Sequence, residues 1–267
     1  MLISVSLGLI VGIILALTGA GGGILAVPLL VFGVGIRVAE AGPISLLAIG
    51  MAATLGAGLG LRVGVVRYKA VLLMAGTGML LSPFGIWLAN QIDNRWLGII
   101  FAMVLFLVAY QTFRKANFHH LVANKPPNEH TLPCVLDTNS GKFVWTAHCA
   151  RTMVLSGSIA GILSGLLGVG GGFVIVPALQ RYTDLVMQSV VATSLAVIAL
   201  VSVSGVASSV LVGNFNWVIA FPFCVGALFG MISGRLISSQ LAGPQMLNSF
   251  AIVSALAAVA MIGKFFL

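Results

Sequence analysis

The chain has 267 residues, of which 60% are hydrophobic and 7% are charged, and its formal net charge at pH 7 is +8. Polar side chains this scarce cannot cover a water-soluble globule of this size, so the composition excludes a soluble protein and indicates a membrane protein. The basic residues lie between hydrophobic segments, as the positive-inside rule predicts, and we therefore expect no nucleic-acid partner.

The first predicted element is a hydrophobic segment, residues 2–36, which is longer than one crossing of a bilayer needs. Residues 17–30 read LTGAGGGILAVPLL, and three consecutive glycines disfavour a helix by about 1 kcal/mol each relative to alanine, so we predict a break at Gly21–Gly23. The piece that follows, 24–36, contains Pro28 and is too short for an ordinary crossing. It predicts a short or re-entrant helix, which is tolerated at membrane depth only inside protein or beside a wet cavity.

Three spans are predicted next, at 39–61, 70–89 and 96–113, followed by a hydrophilic stretch. This stretch holds all four histidines together with Cys134 and Cys149. Their spacings fit no established ligand pattern and include no CxxC pair, so neither a metal site nor a disulfide framework is expected. We divide the chain into an N-terminal membrane repeat (1–113), a hydrophilic linker (114–150) and a C-terminal membrane repeat (151–267).

The second half repeats the first. Residues 166–179 read LLGVGGGFVIVPAL within the hydrophobic segment 152–180, and three more spans are predicted at 186–212, 217–237 and 245–266. A shift of 149 residues aligns the halves without a gap from Val5 to Ala109, and 26 of these 105 positions are identical. Agreement at this level indicates an internal duplication.

Charge placement favours inverted repeats. If each glycine-containing segment counts as two membrane segments, each half has five, and ten Lys and Arg residues, including those of the linker, lie on one side against three on the other. A parallel arrangement with four segments per half gives nine against four. We therefore expect an all-α polytopic protein of the cell membrane, with two inverted repeats and the linker on the cytoplasmic side.

The helix after each break would begin with unpaired N–H donors and a positive dipole end, which suit an anion. Interrupted segments at corresponding positions of two halves are the pattern of secondary transporters. We therefore predict a substrate site at the two glycine triplets, with Pro28 and Pro177 as structural helix breaks. For spaced glycines such as Gly8 and Gly12, close helix packing is the alternative. The triplets are Gly21, Gly22 and Gly23 in the first half and Gly170, Gly171 and Gly172 in the second.

Hydroxyl groups are the next candidates. Ser45, Thr193 and Ser194 lie near the starts of spans, and their hydroxyls could donate to an oxyanion or bond back to the preceding helical turn. No Asp or Glu lies in the middle of a confident span, where a carboxylate is the usual relay for protons or sodium, and this weakens any claim about coupling. A coupling ion, proton or sodium, stays open. No catalytic or cofactor-binding motif is present, and we expect neither an enzyme nor a cofactor. The sequence does not decide the oligomeric state.

The two segments GAGGGILAVP and GVGGGFVIVP, the ATSL segment at 192–195 and the late glycines 226, 230 and 234 resemble the sulfite exporter TauE/SafE family of membrane permeases. The resemblance implies a plasma-membrane permease for sulfite, sulfoacetate or other organosulfonates. The family's Thr-Ser-Leu segment falls on Thr193, Ser194 and Leu195, whereas Ile44 replaces the threonine in the first half. The family's glycine motif falls on Gly19, Gly21, Gly22, Gly23 and Pro28, and on Gly168, Gly170, Gly171, Gly172 and Pro177.

We therefore expect a secondary transporter that moves a small anion, a sulfur oxyanion or organosulfonate, by alternating access between the two halves. The alternatives are a passive anion channel and an intramembrane enzyme or metal-binding protein that uses the histidine-containing linker. The expected partners are the small anion and the lipid bilayer.

Overall fold

The structure, a computed structural model, describes residues 2–19, 21–119, 134, 146–211, 215–241, 256–261 and 263, without the side chains of 111–119 and 237–241. Within these residues the chain forms nine named helices and a short helical stretch at 256–261. The helices are α1 (Leu2–Thr18), α2 (Gly21–Gly33), α3 (Val38–Arg62), α4 (Tyr68–Gln91), α5 (Asn94–His119), α6 (Ala147–Leu167), α7 (Gly172–Tyr182), α8 (Met187–Leu211) and α9 (Trp217–Leu241).

Five helices, α3, α4, α6, α8 and α9, are long and apolar enough to cross a bilayer. Large apolar side chains cover the outer faces of several of them. Leu80 on α4 is 81% exposed, and Phe221 on α9 is 73% exposed. Apolar surface of this kind is what lipid contacts, and the predicted all-α polytopic fold is confirmed.

The helix bounds agree closely with the predicted spans. α3 and α8 match the spans predicted at 39–61 and 186–212 to within one residue at each end. α5 runs to His119, past the end of the predicted N-terminal repeat at 113, and α6 begins at Ala147, before the predicted start of the C-terminal repeat at 151. The predicted span at 245–266 lies mostly outside the described residues.

Contacts between helices follow the 149-residue register. That register carries the bounds of α3 onto those of α8, and these two helices pack against each other. The same register relates α1 to α6 and α4 to α9. The contact between α1 and α9 and the contact between α6 and α4 are the two most extensive helix contacts in the described chain. The helices of each half therefore pack mainly against helices of the other half.

Spaced glycines make these contacts close. Gly8 and Gly12 of α1 lie against backbone atoms of α9, where a Cβ would overlap a carbonyl oxygen. Gly157 and Gly161, their counterparts on α6, lie in the same way against α4. These four glycines pack helices together, as their spacing suggests.

The first two helices form a hairpin, and so do α6 and α7. Gly22 of α2 lies against the carbonyl oxygen of Val11 and the backbone nitrogen of Leu15, both at 2.6 Å from its Cβ position. In the other half, Gly171 lies against the carbonyl oxygen of Ala160 in α6. We call these pairs the first and second hairpins. Their tips are Gly19 to Gly23 and Gly168 to Gly172; Ala20 lies outside the described residues.

The first break lies two residues before the predicted position. α1 ends at Thr18, Gly19 has a φ of +70°, and α2 already begins at Gly21, so the glycine triplet forms the first turn of a helix. The amide of Gly19 donates to the carbonyl of Leu15 at 2.8 Å. A left-handed glycine of this kind ends a helix. Gly22 and Gly23 are needed for a different reason, because backbone atoms of other segments pass close to them.

The second break includes part of its triplet. Gly168, Gly170 and Gly171 all have positive φ, between +68° and +75°, and α7 begins at Gly172. The amide of Gly168 donates to the carbonyl of Ser164 at 2.8 Å, as Gly19 does to Leu15. Here the predicted break at Gly170 and Gly171 agrees with the structure.

The two prolines are not the breaks that the sequence predicts. Pro28 lies inside α2 and Pro177 inside α7, and both helices continue past them. A proline in a helix interior removes one N–H donor and can bend the helix, but the left-handed glycines upstream reverse the chain. Pro28 and Pro177 therefore lie in the second arm of each hairpin, away from its tip.

Candidate functional site

The tips of the two hairpins meet inside the protein. Gly23 in the first tip lies against the carbonyl oxygen of Val169 in the second, and no side chain would fit between them. The side chain of Ile49, from α3, touches both tips, at 3.3 Å from the Cβ position of Gly23 and 3.4 Å from that of Gly170. Ile198 of α8, the counterpart of Ile49 in the duplicated register, also contacts Gly170.

Each tip is held by a serine from the opposite half. The hydroxyl of Ser45, on α3, lies 2.6 Å from the carbonyl oxygen of Gly168 and 2.8 Å from that of Gly42. The hydroxyl of Ser194, on α8, lies 3.3 Å from the carbonyl oxygen of Gly19 and 2.9 Å from that of Val191. Both serines are fully buried. The predicted residues are therefore at the tips, but their protons are engaged by backbone carbonyls.

Thr193 lies elsewhere. Its hydroxyl oxygen accepts a hydrogen bond from the backbone N–H of Arg67 at 3.3 Å, at the residue that precedes α4. Ser194, the next residue, faces the first tip instead. Adjacent positions on a helix point in different directions, so the Thr-Ser pair does not act on one tip.

Two positive helix ends meet at the tips. α2 and α7 both begin there, and neither has an acidic residue in its first turn. Gly171 gives α7 no side-chain cap, and its carbonyl accepts from the amides of Val174 and Ile175 at 3.0 and 3.2 Å. The first amides of a helix have no acceptor within it, and the helix dipole adds partial positive charge. This arrangement favours a negatively charged or oxygen-rich ligand.

A small pocket lies beside the second tip. Its volume of about 20 Å³ is room for one water molecule. Residues that line it include Gly42, Leu46, Ile86, Gly165, Gly168 and Ser209. In the duplicated register the residue that corresponds to Gly42 is Val191. Its side chain lies 2.6 Å from the Cβ position of Gly19 and fills the corresponding space at the first tip.

The structure thus brings together every predicted glycine with Ser45 and Ser194, and leaves Thr193 apart. Sequence reasoning did not single out Gly42, Ile49 or Ile198. The pair Ile49 and Ile198 is identical in the duplicated register, which is a signal that could have found it. Gly42 has no such signal, because its importance depends on a neighbour, Gly168, that is distant in sequence.

Two cysteines of the predicted linker region form a disulfide, contrary to the prediction from their spacing. Cys134 and Cys149 are joined, with their Cα atoms 5.0 Å apart. Cys149 lies in the first turn of α6, where its amide donates to the Thr146 hydroxyl, and the amide of Cys134 donates to the carbonyl of Tyr182 at the end of α7. The fold, and no local motif, brings the two sulfur atoms together.

No group of three or more His, Cys, Asp or Glu side chains that could hold a metal occurs in the described part of the chain. His120 and His130 lie outside it, and of His119 only the backbone is described. The expectation of no metal site is therefore untested for the linker.

Comparison with known proteins identifies the family. The sequence model of the sulfite exporter TauE/SafE family matches residues 4–261. The chain belongs to this family. A relative of this chain, the probable membrane transporter protein YunE of Bacillus subtilis, is 27% identical over 248 residues, which cover 90% of this chain and 89% of the relative.

Two further relatives share this description. A probable membrane transporter protein of Xylella fastidiosa is 28% identical over 254 residues, covering 93% of this chain and 89% of the relative. One of Methanocaldococcus jannaschii is 30% identical over 209 residues, covering 75% of this chain and 69% of the relative. No solved structure matches the chain. This TauE/SafE protein is thus a multi-pass membrane transporter and not an enzyme, as predicted.

Proposed function

We propose that this transporter carries a small oxyanion, sulfite or an organosulfonate, by alternating access between two inverted halves. The observation that carries the proposal is the meeting of two helix N-termini, those of α2 and α7, at buried tips without an acidic side chain. An anion leaving water loses its hydration, and backbone N–H groups with positive helix ends can replace it. The family description, sulfite exporter, supports a sulfur oxyanion as the substrate class.

The unequal tips support alternating access. Beside the second tip Gly42 leaves a pocket, whereas beside the first tip Val191 is packed on Gly19. A pocket for a single water is too small for sulfite, which has four heavy atoms, so a hairpin must move for the anion to enter. In a protein with two related tips, such movement would expose one tip at a time.

A passive channel is less compatible with the packing at the centre. Ile49 fills the space between the two tips, and backbone of one tip contacts backbone of the other. A channel needs a continuous water-filled path, and backbone contacts of this kind interrupt one. A carrier needs no such path at any moment.

Counterflow in proteoliposomes tests the proposal. The purified protein is reconstituted, the vesicles are loaded with unlabelled sulfite, and entry of radiolabelled sulfite from outside is followed. We expect internal sulfite to accelerate uptake, because a carrier returns faster when loaded, whereas a channel gives no such stimulation. The same assay with sulfoacetate, taurine, sulfate, thiosulfate and acetate outside as competitors ranks the substrates. Absence of counterflow with every sulfur anion would refute the proposal.

A further inference from the structure

Most helical hydroxyls in the described part of the chain donate back to a carbonyl of their own helix, although Ser204 on α8 donates to Met79 on α4 at 2.8 Å. Ser156 donates to the carbonyl of Thr152 at 2.7 Å, Ser202 to that of Ala199 at 2.9 Å, and Ser209 to that of Gly205 at 2.9 Å. This is how serine satisfies its proton in an apolar environment. Further examples are Thr18, Ser45, Thr54, Thr77, Ser194, Ser208 and Ser233.

Two buried serines of the described helices have no such bond at all. Ser82 on α4 and Ser164 on α6 are both fully buried, and their hydroxyls have no hydrogen-bond partner among the described residues. A buried hydroxyl without a partner costs free energy, because it gave up its bonds to water without replacement. Two such groups in one region call for an explanation by function.

Both serines are next to the second tip. Ser164 lies one turn before Gly168 and accepts the amide proton of Gly168 on its backbone carbonyl. The Ser82 backbone abuts the next residue of α6, Gly165, which lines the pocket. The Ser82 hydroxyl oxygen lies 3.1 Å from the Cβ position of Gly205 on α8, beside a methyl group of Leu46, another residue of the pocket lining.

The first tip has no equivalent of these groups. The duplicated register pairs Ser82 with Met231 and Ser164 with Leu15, so both hydroxyls have apolar counterparts. Leu15 is fully buried and Met231 nearly so. The two halves thus differ in hydrogen-bonding capacity at the same place where they differ in free space.

We propose that Ser82 and Ser164 are substrate-binding residues that donate their free protons to oxygen atoms of the transported oxyanion when the second hairpin opens. This inference rests on the proposed function and assigns the substrate contacts mainly to one half. The first amides of α7 supply further donors beside the same tip, so an anion with three terminal oxygens can be bound from several sides. The substrate-free protein keeps the two protons unused.

Ser82→Ala and Ser164→Ala test the inference, with Ser156→Ala and Ser202→Ala as matched controls. The control serines are also buried, on α6 and α8, but their protons bond to backbone carbonyls. Sulfite counterflow in proteoliposomes gives KM, and thermal unfolding of the purified protein is followed without sulfite and with it. We expect each test variant to raise KM at least tenfold and to lose most of the sulfite-induced rise in Tm. The controls should keep KM within twofold of the wild type.

The substrate-free Tm separates binding from a structural role. Removing an unpaired buried hydroxyl should leave the Tm of the substrate-free protein unchanged or raise it, because an unsatisfied group disappears. A fall in that Tm, including failure to fold, would mean that the hydroxyl has a structural partner, and would overturn the inference. So would an unchanged KM in both variants. If the wild type itself shows no counterflow with any sulfur anion, the proposed function fails first and this inference fails with it.

Discussion

Ser45 joins the two halves of the protein by a hydrogen bond of 2.6 Å from its hydroxyl to the carbonyl oxygen of Gly168. In the 149-residue register, Ser45 corresponds to Ser194 and Gly168 corresponds to Gly19. The equivalent hydrogen bond, from the Ser194 hydroxyl to the carbonyl oxygen of Gly19, is longer at 3.3 Å. A span of each half therefore holds the hairpin tip of the other. When either hairpin moves, its hydrogen bond to the serine must break, or the helix that carries the serine must move with the hairpin.

Ser45→Ala should destabilise the protein more than Ser194→Ala does. The first substitution leaves the carbonyl of Gly168 without its short bond, and we expect a loss of about 1 to 2 kcal/mol in the free energy of unfolding. The second removes a weaker bond and should cost about half as much. Thermal unfolding in detergent measures both, and an equal or reversed order would contradict the assignment of Ser45 as the stronger tie.

Gly168→Ala should abolish transport and strongly reduce stability. Gly168 has a φ of +70°, and its Cβ would overlap backbone atoms of Gly42. Backbone strain alone costs about 1 to 2 kcal/mol, and the clash adds to it because Gly42 has no side chain that could move aside.

Gly35→Ala isolates the strain from the clash. Gly35 has a φ of +77° but no atom within 4 Å of its Cβ position. We expect this variant to lose about 1 to 2 kcal/mol of stability and to keep counterflow. If Gly168→Ala behaves no worse than Gly35→Ala, the close contact between Gly168 and Gly42 is not needed.

The helices could be predicted from the sequence because hydrophobic length decides them, and the bounds of α3 and α8 agree to within a residue. The tips could be predicted only in part. A cluster of glycines in the sequence predicts that the helix is interrupted nearby. Whether the helix ends at Gly19 or at Gly21 depends on which residue adopts a positive φ, and the sequence does not show this. The free hydroxyls of Ser82 and Ser164 could not be predicted at all. A serine in a helix normally bonds to its own turn, and the sequence does not show the exceptions.

Gly42→Val should slow transport, because its side chain is larger than the single-water pocket that it would enter. A Cβ at Gly42 would be 3.5 Å from the nearest atom, which is ordinary contact, and the rest of the valine side chain would occupy the pocket as Val191 does at the other tip. We expect at least a tenfold loss in kcat/KM for sulfite. Gly58→Val, on the same helix in open space, is the control and should transport normally. Equal activity of the two variants would mean that the pocket is not on the substrate's path.

The side of the membrane that holds the linker is the last prediction, and two observations oppose each other. The charge count, ten against three, assigns the linker to the cytoplasm, where thiols are kept reduced. The Cys134–Cys149 disulfide is the kind of bond that persists in an oxidising compartment. Charge bias over many loops sets orientation during insertion, before any disulfide can form, so we expect it to decide the outcome.

In intact cells Cys134 and Cys149 should therefore be reduced. Because both side chains are fully buried, they should react with a membrane-impermeant maleimide after lysis in a denaturant, without added reductant. Cys224 is also buried, and it is replaced by serine so that it does not react in the denaturant. Arg37→Cys, in a background with all three native cysteines replaced by serine, is the matched control for the opposite side. Arg37 is exposed and precedes α3, and it should label without lysis. Oxidation of the purified protein should then close the Cys134–Cys149 bond. If these two cysteines react in the denaturant only after a reductant is added, and Arg37→Cys is silent in intact cells, the orientation is reversed and the disulfide is a permanent part of the fold.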